Sequence, residues 1–142
     1  VPRVEDRRIL TGRGHYVDDV QLPHMLHATF LRSPLAHARI NGIDATAARQ
    51  APGVIAVYTG DNMKTISKAI KPVIEMGLTP EYYPLVTDKV FFVGDLVAMV
   101  VAESRQQAED ACELIEVDYD PLPPVISYEA ALDPAVAPIF GD

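Results

Sequence analysis

Residues 96–102, Leu96-Val97-Ala98-Met99-Val100-Val101-Ala102, form the longest unbroken apolar run in the chain. At seven residues it falls far short of the ~20 needed to cross a bilayer. A strand with apolar side chains on both faces is stable only at the centre of a sheet. We therefore expect Val97, Met99 and Val101 to be buried on one face and Ala98 and Val100 on the other. Just beyond, Ser104 and Gln107 have capping-box spacing, and Ala108, Ala111, Cys112 and Ile115 recur at helical intervals. An amphipathic helix over 104–114, packed on the sheet, is the expectation. A strand over 115–119 follows, ended by Pro121, Pro123 and Pro124, and 127–132 reads as a last helical turn.

Upstream, residues 1–23 show neither helical nor strand periodicity and read as an ordered, irregular N-terminal arm, extending to residue 24. Residues 25–32 are rich in β-formers and stop at Ser33-Pro34, where proline removes a ladder donor. A second strand is expected over 38–43. Asp44 then caps a brief helix that ends at Pro52-Gly53, and a third strand covers 54–58. Residues 60–84 hold Pro72, Gly77, Pro80 and Pro84 and read as a loop too long for a mere connection. Val90-Phe91-Phe92-Val93 is expected to be β, with Gly94-Asp95 as a bulge or tight turn before the central strand. The fold class is α+β, a mixed sheet with two or three helices. One domain over 25–142 is expected to carry the arm 1–24.

Composition narrows the chemistry. The 142 residues are 49% apolar and 23% charged, and ~142 residues bury roughly two thirds of the unfolded surface without disulfide help. Disorder and a disulfide scaffold are excluded. Twelve cationic against twenty acidic side chains leave a net charge of −8, which disfavours nucleic acid and anionic lipid as partners. The single cysteine, Cys112, and the lack of a basic-then-apolar leader fit a reducing cytoplasm. The chain opens on Val1 and closes on Phe140-Gly141-Asp142, and we expect a piece of something longer.

No catalytic constellation emerges. His15, His24, His27 and His37 invite a metal reading. Yet His24 and His27 fall around a strand start, and no cysteine or adjacent carboxylate completes a ligand spacing. Gly12-Arg13-Gly14 follows no apolar strand and opens no helix, so it does not cradle phosphate. Cys112 lies on the apolar side of its helix, where a thiol is inert. Asp18-Asp19 and Glu109, Asp110 and Glu113 read as solvated faces, because general acid–base work needs carboxylates converging in a cleft.

The opening run Arg3-Val4-Glu5-Asp6-Arg7-Arg8-Ile9-Leu10-Thr11-Gly12-Arg13-Gly14-His15-Tyr16-Val17-Asp18-Asp19 resembles the start of the molybdenum-carrying large subunit of the xanthine dehydrogenase, aldehyde oxidase and aerobic carbon monoxide dehydrogenase family. Phe30-Leu31-Arg32-Ser33-Pro34-Leu35-Ala36-His37-Ala38-Arg39-Ile40 resembles the next block, and Ala51-Pro52-Gly53-Val54 with Val57-Tyr58-Thr59 the one after. Val93-Gly94-Asp95-Leu96-Val97-Ala98-Met99-Val100-Val101-Ala102-Glu103, Ala108-Glu109-Asp110-Ala111 and Ile115-Glu116-Val117-Asp118-Tyr119-Asp120-Pro121-Leu122-Pro123 resemble the last blocks, in the family's order. Asp95 departs from the glutamine or glutamate of many relatives and is similar to the carbon monoxide dehydrogenase-like branch.

The resemblance implies an α/β-hammerhead domain that precedes larger domains enclosing a molybdopterin cofactor. It implies that no catalytic, cofactor-binding or metal-binding residue lies in these 142 positions. Molybdenum, with 2Fe-2S clusters and FAD on other domains or subunits, belongs to the parent enzyme. The implied partners are the molybdopterin-binding domains of the same subunit and the iron–sulfur and flavin subunits of the complex. The loop over 71–84 is implied to approach the substrate funnel, with Met76, Leu78, Tyr82 and Tyr83 as its apolar lining. The alternative is a free-standing interaction module of the same fold without cofactor.

Overall fold

The computed structural model describes residues 3–70 and 81–140. The elements run α1 (Asp6–Leu10), a 3-10 turn (Val17–Asp19), β1 (His27–Arg32), β2 (Ala38–Asp44), α2 (Thr46–Gln50), β3 (Val54–Thr59), α3 (Gly60–Ile66), β4 (Lys89–Val90), β5 (Leu96–Ala102), α4 (Arg105–Glu113), β6 (Glu116–Pro121) and α5 (Tyr128–Leu132). The class is α+β. The expected single mixed sheet is instead two three-stranded sheets, β1-β5-β3 and β4-β2-β6, and every strand pairing is antiparallel. Among the described residues there are five short α-helices, against the two or three expected.

The apolar run is the middle strand of the first sheet. Ala98, Val100 and Ala102 point to α4 and join Ala108, Ala111, Cys112, Ile115, Ala45, Ala48 and Val57 in one core. Alanines at the contact let the helix lie close to the strand. Ser104 caps α4 as expected, its Oγ accepting the Gln107 N–H at 3.3 Å. Val97 points the other way, into a second core with Ala38, Val86 and Val90. Ile43 and Val117 pack against both cores and join the two sheets. Met99 and Val101, expected to be buried, are only half-buried, because the second core covers that face of the first sheet only at Val97.

Several local expectations are corrected. α2 starts one residue later than an Asp44 cap implies: Ala45 is the N-cap, and Asp44 Oδ1 accepts the Thr46 N–H at 2.9 Å. Gly53 ends that helical segment with φ +77°, a conformation that favours glycine. The irregular arm contains α1 and the 3-10 turn, although neither buries a residue. The long loop begins as α3, where Thr59 and Asn62 form a capping box and Met63 supplies a buried anchor.

Residues 90–93 do not form one strand: β4 stops at Val90. The reason is Asp95. Its carboxyl group is fully buried and accepts the Phe91 N–H on Oδ2 and the Leu96 N–H on Oδ1, each at 3.1 Å. With Phe91 so engaged, Gly94 reverses the chain at φ +91° and leaves Phe92 and Val93 exposed. The Asp95 backbone extends the lock to the end of β1. Ser33 N–H donates to Asp95 O and Gly94 N–H to Ser33 O, both at 2.8 Å.

Two stability predictions follow from these contacts. Val100→Asp places an unpaired carboxylate in the first core and should destabilise by on the order of 4 kcal/mol or prevent folding, read by urea denaturation. Asp95→Ala strands two buried N–H donors and should cost about 2–4 kcal/mol, against about 1 kcal/mol for Tyr82→Phe, which removes a single partner of the same carboxyl. Equal costs for Asp95→Ala and Tyr82→Phe would contradict the lock.

Candidate functional site

Of the four loop residues singled out by the sequence, Met76 and Leu78 lie outside the described residues. Tyr82 and Tyr83 stand where the loop returns, and both are half-buried. The return is pinned at its base: Ile70 N–H donates to Tyr82 O at 2.6 Å, an isolated antiparallel bridge. The Tyr82 hydroxyl donates to Asp95 Oδ1 at 3.1 Å. Burial, then the negative charge of Asp95, push this hydroxyl above its ordinary value, so it stays a donor at neutral pH. Tyr83 is held differently, with Lys64 Nζ of α3 lying 5.7 Å from its ring centroid. One tyrosine is thus tied to the Asp95 lock and its neighbour to α3.

Asp95 was legible only as turn chemistry. A short acid directly after glycine, ahead of a fully apolar strand, was the available signal, since its side chain reaches peptide N–H groups on both sides of the reversal.

The histidines do not come together as a ligand set. His24 sits at φ +58° before β1, and His27 lies on β1. His37 Nδ1 is 3.0 Å from Pro123 O, so this nitrogen carries the proton, and the ring stacks on Phe91 at 6.4 Å between centroids. Phe91 in turn stacks on Phe140 at 4.6 Å. His37 Nε2 is buried without a hydrogen-bond partner. Among the described residues, no three His, Cys, Asp or Glu side chains converge on a position that could hold a metal ion.

The other groups weighed from the sequence have structural partners. Cys112 Sγ lies 3.6 Å from Thr29 O, and burial pushes its thiol up, away from the reactive thiolate. Asp18 pairs with Arg105 at 2.7 Å, the ion pair that ties the N-terminal arm to α4. Asp19 Oδ2 accepts the Tyr16 N–H at 2.8 Å. Glu109, Asp110 and Glu113 are exposed along α4. A hollow of about 440 Å³ beside β2 and β6 is lined by Gly42, Ile43, Asp44, Glu116, Val117 and Asp118. Its three carboxylates repel an anionic ligand. Among the described residues, no helix is long and apolar enough to cross a membrane.

For the molybdenum of the molybdopterin cofactor implied by the sequence resemblance, no three His, Cys, Asp or Glu side chains converge among the described residues. The lone unpartnered imidazole nitrogen of His37 cannot hold such a group, and no step of a reaction is assigned to this chain.

Comparison with known proteins agrees with the geometry. Residues 11–123 match the model of the family described as aldehyde oxidase and xanthine dehydrogenase, a/b hammerhead domain. The chain is 45% identical to the carbon monoxide dehydrogenase large chain of Afipia carboxidovorans, an alignment covering 93% of this chain and 16% of that protein. It is 44% identical to the nicotine 6-hydroxylase large subunit of Paenarthrobacter nicotinovorans, with 94% and 16% covered. The crystal structure of quinoline 2-oxidoreductase from Pseudomonas putida 86 superposes with a TM-score of 0.85 at 46% identity, over 96% of this chain and 18% of that one. The chain therefore spans about a sixth of the length of the relatives it matches. With its two antiparallel sheets, its helices and its matched residues all in agreement, the chain belongs to the a/b hammerhead domain family of aldehyde oxidases and xanthine dehydrogenases.

Proposed function

We propose that this chain is one domain of a much longer large subunit, part of a molybdenum-dependent oxidoreductase of the carbon monoxide, aldehyde or xanthine dehydrogenase kind, in which it braces the catalytic domains. The observation that carries this reading is the asymmetry of coverage: 93% of this chain aligns with a relative of which it makes up only 16%. A unit that matches end to end, inside proteins six times its size, is a part rather than the whole. In this reading the molybdopterin sits in other domains of the same subunit, with 2Fe-2S clusters and FAD on further domains or subunits. The buried lone thiol of Cys112 supports a reducing, cytoplasmic setting. The arm of residues 1–24, which buries nothing in its helical turns, is an appendage to a body over 25–142.

In the same reading the loop over 71–84 lines the substrate funnel. Its support here is mechanical, because the Ile70–Tyr82 bridge and the Tyr82–Asp95 hydrogen bond fix where the loop returns to the body. Met76, Leu78 and Tyr83 are the side chains we assign to the funnel. Tyr82 is spent on holding the loop.

The purified 142 residues should reduce no dye with carbon monoxide, an aldehyde or a purine as donor, and should retain no molybdenum after dialysis, whereas the complete subunit should retain it. Turnover by the domain alone, or a parent reading frame that stops close after Asp142, would favour a free-standing protein. In the complete enzyme, Leu78→Ala with Tyr83→Ala should change the ratio of kcat/KM between substrates by about tenfold with molybdenum content unchanged. Equal losses for all substrates together with lost molybdenum would make the loop purely structural.

A further inference from the structure

The first sheet has one face under α4, and the other meets the second core at Val97 and is bare beyond it. Cross-strand register puts Phe30, Met99 and Tyr58 in one row of the bare face, and Ala28, Val101 and Ala56 in the next. A bulge between Val54 and Ala56 inserts Ile55, which is 56% exposed, and Phe30 is 40% exposed. Antiparallel sheets with one wet face carry polar side chains there. These two rows carry no charged residue; charge borders them at the β1 edge, where Arg32, Arg105 and Glu109 share a hollow with Ala28 and Phe30, and Arg32 turns its guanidinium to Gly94 O at 2.9 Å. Isolated exposed apolar residues are ordinary. A contiguous apolar surface over the central strand of a sheet marks an interface.

We propose that this face, centred on Met99 and Val101, is the surface on which a neighbouring domain of the same polypeptide docks, with an apolar, uncharged patch of its own. The proposal rests on the reading that the chain is one domain of a longer subunit. Two observations choose this occupant over a second copy of the chain. Relatives carry about five sixths of their length outside the region matched here, so a covering layer exists in the same molecule and its docking carries no bimolecular entropy cost. A second copy brings a net charge of −8 against −8. The remaining large surface of the sheet, under α4, is already filled by the first core.

Thiol labelling of the complete subunit tests this. In a Cys112→Ala background, Phe30→Cys and Ile55→Cys should react with a maleimide at least about 100-fold more slowly in the native subunit than in urea, while Asp110→Cys on the exposed face of α4 should differ by less than about tenfold. Where a cysteine variant does not fold, the unmodified subunit gives the same readout: peroxide should oxidise Met99 slowly in the native protein and rapidly in urea. Native labelling of Phe30→Cys and Ile55→Cys as fast as Asp110→Cys, with rapid Met99 oxidation, overturns the docking face and leaves the domain reading intact. A reading frame that stops near Asp142 overturns both. Protection that appears only with dimerisation in light scattering overturns the proposal in favour of a second copy.

Discussion

A carboxyl group with no access to solvent must find its hydrogen bonds inside the protein, and Asp95 finds them at the point where the fold is joined. Phe91 at the end of β4 and Leu96 at the start of β5 donate their N–H groups to it, and Tyr82 adds its hydroxyl. Its own backbone carbonyl accepts from Ser33, just beyond β1, itself only 2% exposed. Leu96 O in turn accepts the Val86 N–H at 2.8 Å. One residue thus satisfies the buried peptide groups of a chain reversal and ties together both sheets and the neck of the long loop. An apolar side chain there would leave those donors without partners at about 1–3 kcal/mol each.

Below that junction the structure is two small cores served by one strand. β5 sends Ala98, Val100 and Ala102 to α4 and Val97 to the second core. Each core alone is small, and Ile43 and Val117, packed against both, make them cooperate. The periphery contrasts with this. Leu10, Val17, Leu22, Ile126, Tyr128 and Leu132, all in the arm or the C-terminal segment, are each more than 60% exposed. Apolar surface left in water in these segments costs roughly 25 cal/mol per Å².

Periodicity made the centre of this fold legible and the edges illegible. The strand at 96–102 and the helix capped by Ser104 follow from apolar spacing that packing reinforces, and β1, β2 and β3 fall within two residues of expectation. β4 was overestimated because Phe91, Phe92 and Val93 have high β-propensity, and a carboxylate four residues on takes the amide that a ladder needs. α3 is hidden in the sequence because Thr59 and Asn62 form a weaker capping signal than serine with glutamine, ahead of a proline-rich stretch. The half-exposure of Met99 reflects what covers a face, which no pattern within 142 residues encodes. For the candidate site, the sequence marked Tyr82 and Tyr83 through family resemblance, whereas the partner that fixes Tyr82 is 13 residues away and visible only in three dimensions.

On these contacts the Asp95 junction should be as rigid as the core it joins. Native-state amide hydrogen exchange measures this directly at Ser33, Phe91 and Leu96, whose N–H groups all donate to Asp95. Their opening free energies are expected within about 1 kcal/mol of that for Val100 in the middle of β5. Exchange at those three amides as fast as in the exposed segment around Ala135, with Val100 still protected, would contradict it.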